Sequence, residues 1–246
     1  MIALIAATPL ESILLSEPLT ASVLPGGFCL FTGHLGERSV SLVLSGVGKA
    51  NAAAATALLL AQSRPEVVIS FGCGGAFPGF GLGNGDLTLA TAEHYGDEGV
   101  DTPLGFEGMR ALGFALVQRP EQNFHDILPV SDTWLEKARA SLTNTAVRRG
   151  CAWREGIFAT VSTCSGSDRH SAAVAQRTGA LCETMEGAAV AQMCAAFNVP
   201  FLGIRGISNL TGNRDRTAWN LPLAVTAAQE AVLDLLRSLP PEESAP

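Results

Sequence analysis

Along this chain, short apolar runs rich in β-branched residues alternate with Ala-rich segments of helical character. The runs at 2–7, 66–71 and 201–207 are almost continuously apolar. A half-exposed strand would alternate with polar residues, so these strands need cover on both faces. Helices packed on both sides of a largely parallel sheet meet that need. The expectation is a single α/β domain over 1–246, with a central mixed, mostly parallel twisted sheet flanked by helices. Residues 239–246 are expected to be a frayed tail.

Other elements follow from local signals. A strand pair is expected at 28–32 and 39–45 around a turn at 33–36, with further strands at 86–92 and 156–162. Helices are expected over 49–62, 132–141, 168–177, 185–197 and 221–238. Alanine favours the first of these, and Arg64-Pro65 stops it. The stretch 93–123 mixes Gly, Pro and charges without a period, so it reads as a long loop, functional or mobile.

Composition removes several functions. Charged residues make up 16% and hydrophobic residues 47%, enough to bury a core rather than stay disordered. The net charge is −7 and the longest basic run is Arg148-Arg149, which argues against nucleic acid and anionic membranes as partners. The small-apolar stretch 52–61 is about half a membrane span. No Lys or Arg precedes Arg38, so the N-terminus lacks the basic region of a signal peptide and a cytoplasmic location is expected. The six cysteines include no CxxC pair and read as free thiols. His34, His94, His125 and His170 show no ligand spacing, so neither metal nor cofactor is expected.

Ligands of open α/β sheets bind beyond the carboxyl ends of the strands, which sorts the candidates. Gly72-Cys73-Gly74-Gly75 follows the strand 66–71 and reads either as a backbone cradle or as a tight turn. Ser45-Gly46-Val47-Gly48-Lys49 is no P-loop, because Val43 and Ala50 stand where that motif carries Gly and Ser or Thr. Glu11, just past the first strand, reads as a general base or as an acid meeting a helix dipole. Glu186 opens an otherwise apolar helix; it could accept hydrogen bonds from a sugar diol or simply be solvated. Arg205 inside an apolar strand needs a partner. Asn209, at the end of that strand, offers one donor and one acceptor group. The segment 211–216 after it reads as a turn with local ion pairs.

Taken in order, these segments resemble the nucleoside phosphorylase/nucleosidase superfamily, and within it the purine-nucleoside N-ribosyl hydrolases. The resemblance rests on Glu11, Ser45–Lys49, Gly72–Gly75, Met185-Glu186-Gly187-Ala188-Ala189 and Arg205-Gly206-Ile207-Ser208-Asn209, and it covers roughly residues 1–238. Asp97–Phe106, Arg214-Asp215-Arg216 and Trp219 are similar to the futalosine hydrolase branch. That branch removes hypoxanthine from futalosine in a menaquinone pathway. The related methylthioadenosine/S-adenosylhomocysteine nucleosidases usually carry Asp where this chain has Asn209, a departure that bears on the base accepted.

The resemblance implies that Glu11 activates the attacking water and that Glu186 holds the ribose hydroxyls. Met185 would pack on the sugar, Cys73 and Gly74 would lie beside ribose and base, and Asn209 would read a 6-oxopurine. Residues 7–11 contain no Arg and Glu11 would repel phosphate, so water is the expected nucleophile. Other substrates left open are methylthioadenosine, aminodeoxyfutalosine and inosine. Arg214 and Arg216 are candidates for a 5′ carboxylate. The 5′ pocket of relatives draws on a neighbouring subunit, and the segment 103–106 resembles that contribution, so a homodimer or higher homo-oligomer is expected.

Overall fold

The computed structural model describes residues 1–241. Of the expected tail, 242–246 lie outside the described residues. In chain order the first half holds β1 (Ile2–Ala6), α1 (Ile13–Ser16), β2 (Thr20–Val23), β3 (Cys29–Leu35), β4 (Arg38–Leu44), α2 (Lys49–Gln62), β5 (Val68–Ala76) and β6 (Leu87–Tyr95). A hairpin of β7 (Gly99–Thr102) and β8 (Gly105–Gly108) follows, then α3 (Met109–Leu112), β9 (Val117–Gln118), β10 (Asn123–Phe124) and β11 (Ile127–Pro129). The chain closes with α4 (Asp132–Arg149), β12 (Trp153–Thr160), α5 (Asp168–Thr178), β13 (Cys182–Thr184), α6 (Gly187–Phe197), β14 (Phe201–Leu210) and α7 (Leu221–Ser238).

β1 shows how the layers form. Ile2, Leu4 and Ala6 point into a core shared with Trp134 and Leu142 of α4 and Ala231 and Leu235 of α7. Ala3 and Ile5 point the other way, against Ala52 and Leu59 of α2 and Ala188 and Ala191 of α6. Successive strand side chains face opposite sides, so an all-apolar strand demands this double cover. Each large aliphatic side chain so buried contributes about 1.5–3 kcal/mol.

The sheet is mixed, with α/β layering as expected. β1 runs parallel to β4 and β5, and β14 runs parallel to β5, so these carboxyl ends open on one side. β2 and β3 extend the β4 edge as antiparallel strands. At the other end, β14 pairs with both β5 and β6. β6 continues through β12 and β13 back to β5. Five strands thus close into a ring; β11 pairs with β6 outside it, and the remaining strands extend from β5 through β1.

Three expectations need correction. Gly72–Gly75 is not a turn but the carboxyl half of β5. These glycines are there because neighbours crowd the strand: a Cβ on Gly74 would stand 2.5 Å from Cys182 Sγ, and one on Gly75 2.9 Å from Thr211 Cγ2. The turn expected at 33–36 lies at 36–37, and residues 33–35 belong to β3. His34 pairs with Ser39 and Leu35 with Arg38, leaving Gly36-Glu37 as a two-residue turn, with Gly36 at φ +62°. The stretch 93–123 is no open loop: it carries the end of β6, the β7–β8 hairpin, α3, β9 and part of β10.

Candidate active site

The carboxyl end of β1 leads into a short turn of helix at Pro9–Glu11. Glu11 Oε2 accepts hydrogen bonds from the Thr8 N–H and Oγ1, each at 3.0 Å. Oε1 accepts from the backbone N–H of Cys73 at 3.0 Å and from its thiol at 3.4 Å. Gly72 makes this approach possible: its φ is +150°, and a Cβ there would run into Glu11 Oε1. Burial and the Glu11 carboxylate push the Cys73 thiol far up, so it remains a donor to that carboxylate.

Glu186 is the N-cap residue of α6, and its Oε1 accepts from Gly48 N–H at 2.8 Å. Burial raises its pKa; the Gly48 hydrogen bond and Arg205 pull it down, and Glu11 pushes it up. The two carboxylates therefore share one electrostatic environment. Arg205 is only 2% exposed. It donates from Nη1 to the carbonyls of Ser70 (2.7 Å) and Ile204 (2.9 Å), and from Nη2 to Ser70 Oγ at 2.8 Å. The partner that its burial demands is thus backbone and hydroxyl oxygen, and among the described residues no carboxylate lies within ion-pair distance of it.

At the end of β14, Asn209 Oδ1 accepts from Ser208 Oγ at 2.8 Å and Nδ2 donates to Leu210 O at 2.9 Å. One N–H and one lone pair of the amide remain for a ligand. Glu183, beside it, takes Ser165 N–H at 2.9 Å and Ser165 Oγ at 2.5 Å, and burial raises its pKa. Arg214 holds a left-handed backbone, φ +56°, with its guanidinium 5.0 Å from the centre of the Trp219 ring. It forms no ion pair among the described residues.

Glu11, Cys73, Glu183, Glu186, Asn209 and Arg214 line one cleft of about 340 Å³, which Arg205 does not border. Glu11, Cys73, Gly74, Met185, Glu186 and Asn209, each singled out in the sequence, all border it, as do Arg214 and Trp219. Arg216 and Asp215 do not; the Asp215 carboxylate caps the next turn through Thr217 N–H at 3.0 Å. Lys49 points elsewhere, to Asp97 and Glu98. Sequence reasoning missed Cys164, Ser165, Thr184 and Val225 as lining residues. Val225 reads as one more core position of the closing helix, and Ser165 gains its place only through the distant Glu183.

A mixed sheet partly closed into a ring, with the Glu11 and Glu186 carboxylates gathered beyond its parallel strand ends, places the chain with the nucleosidases of the nucleoside phosphorylase fold. A methylthioadenosine/S-adenosylhomocysteine nucleosidase from Neisseria meningitidis, solved with methylthio-immucillin-A, superimposes with a TM-score of 0.82. It is 27% identical, and the match covers 97% of this chain and 99% of that one. The chain belongs to the phosphorylase superfamily, which it matches over residues 1–237. Among curated relatives, the futalosine hydrolase of Thermus thermophilus is 33% identical over 213 residues, 86% of this chain and 87% of that protein. The futalosine hydrolase of Streptomyces coelicolor is 37% identical over 198 residues, 78% of this chain and 76% of that protein.

Proposed function

We propose that this chain hydrolyses the N-glycosidic bond of futalosine, releasing hypoxanthine and leaving dehypoxanthine futalosine, and so serves menaquinone biosynthesis. The enzyme class is that of an N-ribosyl hydrolase acting on purine nucleosides. One observation carries the reading: Glu11 and Glu186 border the same cleft as the amide of Asn209 and the guanidinium of Arg214.

Cleavage of an N-glycosidic bond leaves positive charge on the sugar and negative charge on the purine. Carboxylates placed at the sugar stabilise the first charge as it develops. Glu186 accepts hydrogen bonds from the ribose hydroxyls, and Met185 packs against the sugar. Glu11 orients a water and takes its proton as the oxygen bonds to the anomeric carbon. The electrons of the broken bond pass to the base, where the free N–H of Asn209 offers a donor, while Arg214, which also borders the cleft, is the candidate for a 5′ carboxylate. A 6-oxopurine such as hypoxanthine presents acceptors to that amide donor. Water rather than phosphate is the nucleophile in this reading: residues 7–11 contribute no Arg, Glu11 would repel phosphate, and Lys49 is held by Asp97 and Glu98.

The test is base release from futalosine, aminodeoxyfutalosine, methylthioadenosine and inosine in phosphate-free buffer, followed by chromatography. Hypoxanthine from futalosine, with aminodeoxyfutalosine and methylthioadenosine left intact, is the expected result. Adenine from methylthioadenosine would overturn the reading of the base end. Strong acceleration by phosphate or arsenate would overturn hydrolysis. Glu11→Gln is expected to lower kcat by at least about 100-fold while the nucleoside still binds.

A further inference from the structure

Two loops after strand ends contribute to the cleft, 45–48 after β4 and 161–165 after β12, and a third, 96–98 after β6, lies behind them. Asp97 joins them. Its Oδ1 meets Lys49 Nζ in an ion pair. Its Oδ2 accepts from the backbone N–H groups of Ser162 at 2.6 Å and Thr163 at 3.0 Å. Lys49 is further fixed by Glu98 at 3.2 Å and by the Tyr95 ring, 5.1 Å from its nitrogen.

Each end of this clamp lies next to a carboxylate-holding group. Gly48, the residue before Lys49, donates its N–H to Glu186 Oε1. Ser165, two residues beyond Thr163, supplies both donors to Glu183. The Gly48 amide has φ +95° and is the N-cap of α2, so its direction depends on where Lys49 is held. A carboxylate side chain can serve an ammonium on one oxygen and two amides on the other, which neither an amide nor a hydroxyl does equally well. The two amide bonds and Lys49 hold the Asp97 pKa below the ordinary aspartate value against the opposing effect of burial.

We propose that Asp97 is a positioning residue: through Lys49 and Gly48 it sets the direction of the Glu186 carboxylate. This rests on the reading of Glu186 as the ribose-holding group. Asp97 does not border the cleft, and the arm that reaches the ribose end runs through Lys49 and Gly48 to Glu186. A shift of about 1 Å in a group that orients substrate can cost about 100-fold.

The experiment is a double-mutant cycle between Asp97→Asn and Glu186→Gln, read as kcat and KM for the purine nucleoside the wild type cleaves best. Asp97→Asn alone is expected to raise KM by at least about 10-fold with a smaller fall in kcat. In the Glu186→Gln background the same change is expected to cost less than about 2-fold, because the group it positions is already lost. Full additivity, or an unchanged KM in Asp97→Asn, overturns the proposal. A Glu186→Gln variant with wild-type KM would instead overturn the ribose-holding reading itself. Circular dichroism and Tm check that each variant folds. Should Asp97→Asn fail to fold, Lys49→Met breaks only the ammonium arm, and the same loss of additivity with Glu186→Gln is expected of it; additivity there overturns the proposal too.

Discussion

Glu93 is fully buried in β6, inside the strand ring. Its Oε2 accepts from Thr160 Oγ1 at 3.2 Å, and its Oε1 has no hydrogen-bond partner. Room for it is made by glycine: a Cβ on Gly203 would stand 3.0 Å from Oε1, and one on Gly187 would collide with the carboxyl group. Burial drives its pKa from 4.5 up to about 8; Arg205 and Thr160 pull it down, and Glu186 adds to the rise. The folded protein therefore keeps a proton on Glu93 that the unfolded chain releases above its ordinary value. Below that value the group costs nothing through ionisation. Between the two values the unfolded state is favoured progressively, so stability falls as pH rises toward 8. At about 1.4 kcal/mol per unit, the whole effect is a few kcal/mol. Glu183 and Glu186, also raised by burial, act in the same direction. Glu93→Gln is expected to raise Tm more at pH 8 than at pH 5, measured by thermal melts across that range. A difference between variant and wild type that does not change with pH would show that another group titrates.

Among the elements, α7 and β14 approach most closely at Gly206, where a Cβ would run into the carbonyl oxygen of Ala224. Backbone cannot move aside as a side-chain end can, so Gly206→Ala is expected to cost about 1–3 kcal/mol. Urea unfolding should show a lower midpoint at unchanged slope, and an unchanged midpoint would mean that the helix shifts freely on the sheet. Such contacts explain what could and could not be read from sequence. The helices at 49–62 and 221–238 agree to the residue with α2 and α7, because their starts and stops are local signals. The helix expected at 132–141 in fact runs to Arg149, where Gly150 ends it in a left-handed cap at φ +66°. The glycines of β5 looked like a turn because the reason for them lies in Glu11, Cys182 and Thr211, far away in the chain. The ring was invisible for the same reason: nothing in 201–210 announces that β14 will pair with two strands at once. Glu11 and Glu186 were readable because each follows a strand end, and Asn209 because it stands at the carboxyl end of an apolar strand, whereas Ser165 lies on a loop with no periodic mark.

For the molecule as a whole, the β7–β8 hairpin is the element least explained by the single chain. Arg177 pins its base, with the guanidinium 4.4 Å from the centre of the Phe106 ring and Nε donating to Gly96 O at 2.6 Å. Leu104 at its tip is nevertheless 98% exposed, and Phe114 beyond α3 is 73% exposed. The cleft has a matching deficit, for two of its lining residues, Leu10 and Val47, remain 50% and 51% exposed. Apolar surface concentrated on a projecting element and on the rim of a site calls for a partner that covers it. A homo-oligomer in which this hairpin covers a neighbour's cleft would bury both surfaces at once, and that is the arrangement to test. Sedimentation should then find the wild type as a dimer or larger, and Leu104→Asp should shift it toward monomer. The kinetic consequence is more specific. A cleft that loses its cover should lose affinity for a nucleoside with a bulky 5′ group, so KM for futalosine should rise several-fold more than KM for inosine. A wild-type monomer with full activity would refute the shared site, and an equal rise for both substrates would separate the role of the hairpin in assembly from any role at the 5′ end.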